Sequence, residues 1–287
     1  MKGVLSMQYP YLLFDADDTL FDFPKASARA FSAMCLANDI PDTPEDRQLY
    51  HRINQELWAA FDRGEISKEA LTLERFVQFL QALGLSRDPA QCNRDYLAAR
   101  GEGVFPLPHA EAVCRELARR GHKLYIVINA VASVQRSRLQ GSVFAELITD
   151  AFISEDAGAS KPDPAYYDYV RSRVPGLTAE NSLVIGDSTA TDIRGANNAG
   201  LPCCWYNPRG ISRPEDLRTS DQTGPRRQLR DIVSLPERNG KRGPPHVRGA
   251  LFAGTVWRPV RPELISPGRD RGRSRSALWC RPHRAQR

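Results

Sequence analysis

The 287-residue sequence holds no apolar run near the ~18 residues that a membrane-crossing helix requires. Nor does Met1 to Leu13 carry a long apolar stretch ending in a cleavage site, so a cytoplasmic location is the expectation. Cysteine-built frameworks are excluded next. Cys35, Cys92, Cys114, Cys203, Cys204 and Cys280 form no CxxC pair and no metal spacing, and they read as small, reduced, mostly buried residues. The five histidines share no metal spacing either. Ser188 lies in Gly-Asp-Ser and not in Gly-x-Ser-x-Gly, so it has no nucleophile elbow. Gly101-Glu102-Gly103 has neither a third glycine nor a strand before it, and reads as a connecting loop, not a dinucleotide site.

Net charge is equally uninformative about the body of the chain. The total is +6, but residues 239–287 carry twelve Lys or Arg against Glu263 and Asp270 alone. What precedes them is mildly acidic, so a nucleic-acid partner is not expected there. The segment 237–287 is basic and rich in Pro, Gly and Arg, and its composition predicts disorder. Hydrophobic residues make up 41% of the chain, enough for a real core.

What the sequence does have is a carboxylate cluster behind a strand. Tyr11 to Phe14 is too short and apolar for anything but a buried strand, and Asp15-Ala16-Asp17-Asp18-Thr19-Leu20 follows it. The carboxylates therefore sit past a strand's C-terminal end, the edge at which open α/β sheets bind ligands. Asp15 and Asp18 could serve merely as turn or cap residues. A metal or phosphate site requires partners elsewhere in the chain.

Phe21 to Pro24 reads as a hairpin or flap. Helical periodicity then runs over residues 25–40, 44–64, 67–83 and 88–100, with Thr43 and Pro44 opening the second of these and Gly84 closing the third. Tyr50 and Trp58 lie at helical spacing and read as core before they read as a base-stacking platform. The α/β pattern resumes with a helix over 109–120, strands at 124–128 and 151–154, a helix from Asp163 to about Arg173, a strand at 182–185, a helix over 189–199 and a last strand within 201–206. This alternation predicts a doubly wound parallel sheet, core residues 10–23 and 106–236, interrupted by an all-helical cap at 24–105.

Four segments converge on one sheet edge: Asp15 to Thr19, Ile128-Asn129-Ala130, Ser160-Lys161-Pro162-Asp163, and Gly186-Asp187-Ser188 with Asp192. In this order they resemble the four motifs of the haloacid dehalogenase (HAD)-like hydrolase superfamily, over roughly residues 10 to 236. The segments around Phe14, Val127, Gln135 and Asp192-Ile193-Arg194-Gly195-Ala196 look like its noncanonical pyrimidine 5'-nucleotidase branch. The resemblance implies a HAD-like Rossmannoid core and a Mg2+-dependent phosphatase acting on a small-molecule phosphate monoester, a nucleoside monophosphate, through an aspartyl-phosphate.

It assigns Asp15 as nucleophile and Asp17 as general acid/base. Asp15, the Asp17 carbonyl and Asp187 would hold the metal, supported by Asp192 and Ser188. Lys161 would neutralise charge, and the backbone amides of Asn129 and Ala130 would hold the phosphate with it. One departure stands out. Ile128 occupies the place of a Thr or Ser whose hydroxyl donates to the phosphoryl group, a change expected to slow the enzyme and compatible with a non-catalytic phosphate binder. Another small phosphate ester, such as phosphoglycolate or a sugar phosphate, is the alternative substrate. Oligomeric state is left open.

Overall fold

The computed structural model describes residues 9–208. Expectations for residues 209–236, for the basic segment 237–287 and for Cys280 lie outside the described residues. Five parallel strands, β1 (Tyr11–Phe14), β2 (Lys123–Ile128), β3 (Ile148–Ile153), β4 (Ser182–Gly186) and β5 (Cys203–Trp205), form one sheet in the order β3-β2-β1-β4-β5. β1 sits at the centre, with Leu12 beside Leu124 on one flank and beside Leu183 on the other.

Alternation along the strands builds two cores. Leu12, Phe14, Ile126, Ile128 and Ile185 pack one face against α5 (Ala110–Arg119) through Cys114 and Leu117. Leu13, Val127 and Val184 face the other way, onto Tyr166, Tyr167 and Val170 of α8 (Pro164–Arg173). A strand buried on both sides reads as an unbroken apolar run, which is why β1, β2 and β4 stand out in the sequence.

Between β1 and β2 the chain makes four helices: α1 (Phe23–Ala37), α2 (Pro44–Asp62), α3 (Lys68–Leu83) and α4 (Pro89–Gly101). They bury a core of their own around Phe31, Tyr50, Phe76, Phe79 and Tyr96. Tyr50 lies within that aromatic cluster, stacked on Phe76 at 5.5 Å, and so is a packing residue. Capping fixes the starts. Thr43 and Asp46 form a reciprocal box on α2, Ser67 caps α3, and Asp88 caps α4 ahead of Pro89. Gly84 ends α3 in the left-handed conformation, φ 63°.

Five local features depart from the expectations. Residues 21–24 form no flap: Asp22 accepts from Lys25 N at 2.9 Å and caps α1, which starts at Phe23, while Phe21 is buried and bridges Asp17 and Pro106. A helix that periodicity does not reveal, α6 (Ala132–Gln140), follows β2 because it buries polar residues, Gln135 and Arg138, among its apolar ones. β3 begins at Ile148, earlier than expected, because the polar Thr149-Asp150 lies on an exposed stretch of an edge strand. A short helix, α7 (Ser154–Ala157), succeeds it. The segment after β4 opens with a π-helical turn, Thr189–Ile193, before the short α9 (Arg194–Asn198). The wide turn brings Asp192 back under its own start, where its carboxylate accepts from Ser188 N at 3.0 Å.

Candidate active site

The carboxyl ends of β1, β2 and β4 deliver Asp15, Asn129 and Asp187 to one edge. Asp15 follows β1 directly, and its N–H, 2.8 Å from the Ile185 carbonyl, ties the start of the acidic turn to β4. Lys161 arrives from the loop before α8. Its Nζ donates to Asp15 Oδ1 at 2.8 Å, Asp192 Oδ1 at 2.6 Å and the Val127 carbonyl at 2.8 Å, using all three ammonium protons. Only 2% of Lys161 is exposed.

Asn129 fixes that loop. Its side chain donates to the Lys161 carbonyl at 2.8 Å and accepts from the Lys161 N–H at 2.9 Å, a two-point clamp between strand end and lysine. The amide of Ala130 donates to Ser154 Oγ at 3.2 Å in this arrangement. Ile128 is 2% exposed and packs in the apolar layer with Ile126, so no hydroxyl stands at that strand end. Lys68, unsignalled by any motif, reaches from the start of α3 to the Ala130 carbonyl at 3.0 Å and Ser154 Oγ at 2.7 Å.

Asp15, Asp187 and Asp192 each bring a carboxylate oxygen to within 4.8 Å of the others. Two of these residues are buried, and Lys161 is the cation in hydrogen-bond contact with Asp15 and Asp192. Burial, with the neighbouring Asp192 and Asp18 charges, pushes the Asp187 carboxyl up to about 7. Burial also raises Asp15 well above its usual range, against the pull of Lys161. For Lys161 the cost of burial is outweighed by Asp15 and Asp192, so it stays firmly charged.

Hard oxygen ligands crowded at one point with excess negative charge suit a divalent cation. Asp192 has both oxygens committed, to Lys161 and Ser188, and fits as a support. The second oxygen of Asp15 and the Asp187 carboxylate fit as the ligands. Below the ordinary carboxylate pKa of 3.8 Asp187 is neutral folded or unfolded, and above about 7 it is charged in both states; between these values folding loses stability as pH rises. A divalent cation bound by the Asp187 carboxylate would remove that penalty. Saturating Mg2+ is therefore expected to raise the melting temperature by about 5–10 °C at pH 8 and by clearly less at pH 5; differential scanning calorimetry showing an equal shift at both would contradict the ligand assignment.

Gly186 is required by this packing. A Cβ there would stand 2.3 Å from Asp192 Cγ and Oδ2, inside any possible contact. Gly186→Ala is expected to push Asp192 off Lys161 and Ser188 N, and to reduce turnover about 10²-fold or more through the displaced lysine; a crystal structure of the variant with Asp192 unmoved would refute this.

Asp17 is held by a separate set of side chains. Its carboxylate meets Arg138 Nη1 at 2.6 Å, Gln135 Nε2 at 3.3 Å and Arg100 Nη2 at 3.4 Å. Arg138 and Gln135 escape as site candidates because buried polar residues on the short α6 break the apolar period that would reveal it, while Arg100 lies at the end of an expected helix with no motif to mark it. Asp18 adopts φ 58° and accepts from Phe23 N at 3.1 Å, which binds the acidic turn to the start of α1. Ser188 caps the π-helical turn by accepting from Thr191 N at 3.2 Å.

A carboxylate following the central parallel strand, bridged by lysine to a second carboxylate and flanked by a third, gathers an acidic cluster with a buried cation at the carboxyl edge of the sheet. Residues 12–206 match the profile of the haloacid dehalogenase-like hydrolases, and the chain belongs to that family. It is 38% identical over 201 residues to the HAD-hydrolase YfnB of Bacillus subtilis, covering 70% of this chain and 85% of that one. It is 34% identical over 208 residues to the pyrimidine 5'-nucleotidase PynA of Streptococcus pneumoniae, covering 71% and 86%. With the pyrimidine 5'-nucleotidase YjjG of Escherichia coli it shares 30% over 211 residues, covering 74% and 92%. The crystal structure of YfnB bound to magnesium superposes with a TM-score of 0.69 at 36% identity, over 73% of this chain and 91% of that one. Such relatives make the chain a phosphatase of its family.

Among the described residues no helix is long and apolar enough to cross a membrane.

Proposed function

We propose that the protein is a Mg2+-dependent phosphatase of nucleoside 5'-monophosphates with a pyrimidine preference, working through a phosphoryl group carried on Asp15. The observation that carries the reading is the lysine bridge: Lys161 Nζ lies 2.8 Å from Asp15 Oδ1 with Asp187 and Asp192 alongside. Similarity to PynA and YjjG supports the nucleotide.

Asp15 attacks phosphorus in line; the Asp15 O–P bond forms as the bond to the leaving oxygen breaks. Asp17 gives a proton to that oxygen, later takes one from the attacking water, and the Asp15 O–P bond breaks to release phosphate. Lys161 neutralises phosphoryl charge and holds Asp15 at the required angle. The backbone at Asn129 and Ala130 receives the phosphoryl oxygens with Lys161. Magnesium, held by Asp15, the Asp17 carbonyl and Asp187, would screen the substrate dianion from the carboxylates.

The helices at 24–105 act as a cap that chooses the leaving group. Lys68 is placed for that task by the tertiary structure, because it reaches from α3 to the Ala130 carbonyl.

Phosphate release from UMP, dTMP and phosphoglycolate, each with Mg2+ and with EDTA, tests the reading. Turnover of UMP or dTMP at least tenfold above phosphoglycolate, abolished by EDTA, is the expected result. Equal turnover would remove the pyrimidine preference, and none anywhere would leave a phosphate binder.

Ile128→Thr is expected to raise kcat, because a missing preorganised donor typically costs ~10²- to 10³-fold. An unchanged kcat in steady-state assays would show that the strand end does not act on the phosphoryl group.

A further inference from the structure

A second knot of buried charge lies around Asp17, away from Lys161. The Arg138 side chain is 0% exposed and that of Arg100 6%, and both guanidinium groups meet the one carboxylate. Arg138 Nε also donates to the Gly103 carbonyl at 3.3 Å, and Gln135 Oε1 accepts from Arg138 Nη1 at 3.2 Å. Each arginine lies over a ring of the acidic turn's own continuation, Arg138 over Phe21 and Arg100 over Phe23, both at 4.6 Å.

Burying a guanidinium carries a desolvation cost that an ion pair repays in full only when its geometry is excellent and its remaining protons are bonded. Here Arg100 Nη1 and Arg138 Nη2 are buried without a protein partner as well. If the task were only to fill space, apolar side chains of similar volume would do it at less cost. The two arginines also come from opposite sides of one junction. Arg138 is on α6, which follows β2, the neighbour of the central β1; Arg100 is in the last turn of α4, where the chain leaves the helical insertion. The return path is tight: a Cβ on Gly101 would stand 3.2 Å from Ser137 Oγ, and one on Gly103 3.0 Å from Ala26 Cβ.

We propose that Arg138 and Arg100 are positioning residues that set the aim of Asp17, one from the sheet side and one from the insertion, so that proton transfer depends on how the insertion is seated. The inference rests on the proposed role of Asp17 as acid/base. In the first step Asp17 must place its proton on the leaving oxygen while the Asp15 O–P bond forms; in the second it must take a proton from water as that bond breaks. A carboxylate able to turn freely would do neither well.

The test separates leaving groups. The 5'-oxygen of UMP needs a proton to depart, whereas nitrophenolate leaves 4-nitrophenyl phosphate without one. In Arg138→Met and Arg100→Met, kcat for UMP is expected to fall about 10²-fold with KM changed by only a few-fold. The rapid first release of nitrophenolate in stopped flow is retained and is followed by a slow steady phase, since the second step still needs Asp17. Arg100→Lys recovers part of the UMP loss. Arg138 is fully buried, so Arg138→Lys, expected to behave as a weaker version of the Met variant, carries that side if Arg138→Met does not fold. An equal fall in the nitrophenolate burst and in UMP turnover would show a structural role only and overturn the inference. In an Asp17→Asn background the arginine substitutions are expected to add nothing; a further full loss there would overturn it too. If Asp17→Asn itself leaves UMP turnover intact, the acid/base reading fails and takes the inference with it, a result distinct from either of the others.

Discussion

Asp15→Asn is expected to lower UMP turnover by at least ~10⁴-fold, the scale on which removal of a covalent nucleophile acts. Asn has the same shape but cannot form the phosphoryl bond, and its amide is far too weak a nucleophile to substitute. The fold survives. Burial raises the Asp15 carboxyl well above its usual range, so the ionised group costs the metal-free protein stability at neutral pH, and a neutral side chain relieves that cost. Lys161 keeps Asp192 at 2.6 Å and the Val127 carbonyl at 2.8 Å. The variant is thus expected to melt no lower than the parent without Mg2+ and to gain less from adding it. Circular dichroism melts beside steady-state phosphate release check both halves; an inactive variant that is also unfolded would leave the chemistry unassigned to Asp15.

Lys161→Met is expected to fail in both respects. Methionine fits the space of the lysine stem, but it leaves Asp15 and Asp192, 7% and 1% exposed, facing each other with no cation between them. Breaking a buried pair by removing one partner costs about 3–5 kcal/mol. Turnover is expected to fall by ~10³-fold or more, because the charge that offsets the phosphoryl dianion and the group that orients Asp15 are lost together. Divalent metal restores part of the stability but little of the activity. Denaturant titration with and without Mg2+ reads the first effect; a variant as stable as the parent in EDTA would show that the lysine bridge is not what holds the two carboxylates in place.

Much of the sheet is legible in the sequence because its strands are buried on both faces. Leu12-Leu13-Phe14, Ile126-Val127-Ile128 and Leu183-Val184-Ile185 are apolar at every position, and a parallel sheet with short alternating helices follows from them. The residues of the lysine bridge are legible for a different reason. Asp15 and Asp187 each follow a strand, Lys161 precedes a capped helix, and polar residues at such places have few structural reasons to exist.

Two of the residues around Asp17 are hidden by the same rule that reveals the strands. Arg138 and Gln135 occupy inward positions of α6, where periodicity looks for Leu or Val, so neither the helix nor its task can be read from Ala132 to Gln140. Lys68 is invisible in another way: a lysine after an N-cap serine is ordinary, and only the tertiary structure brings it to Ala130. The start of α1 is not legible because Phe21-Asp22-Phe23-Pro24 has the composition of a turn, while Asp22 uses that composition to cap a helix.

The most direct test of a phosphoryl group carried on Asp15 is mass spectrometry of the enzyme quenched in acid during turnover of UMP with Mg2+. A phosphoryl adduct on the peptide that contains Asp15, absent from Asp15→Asn, is the predicted result. An adduct on any other residue, or none in an enzyme that releases phosphate and shows a pre-steady-state burst, would contradict the account.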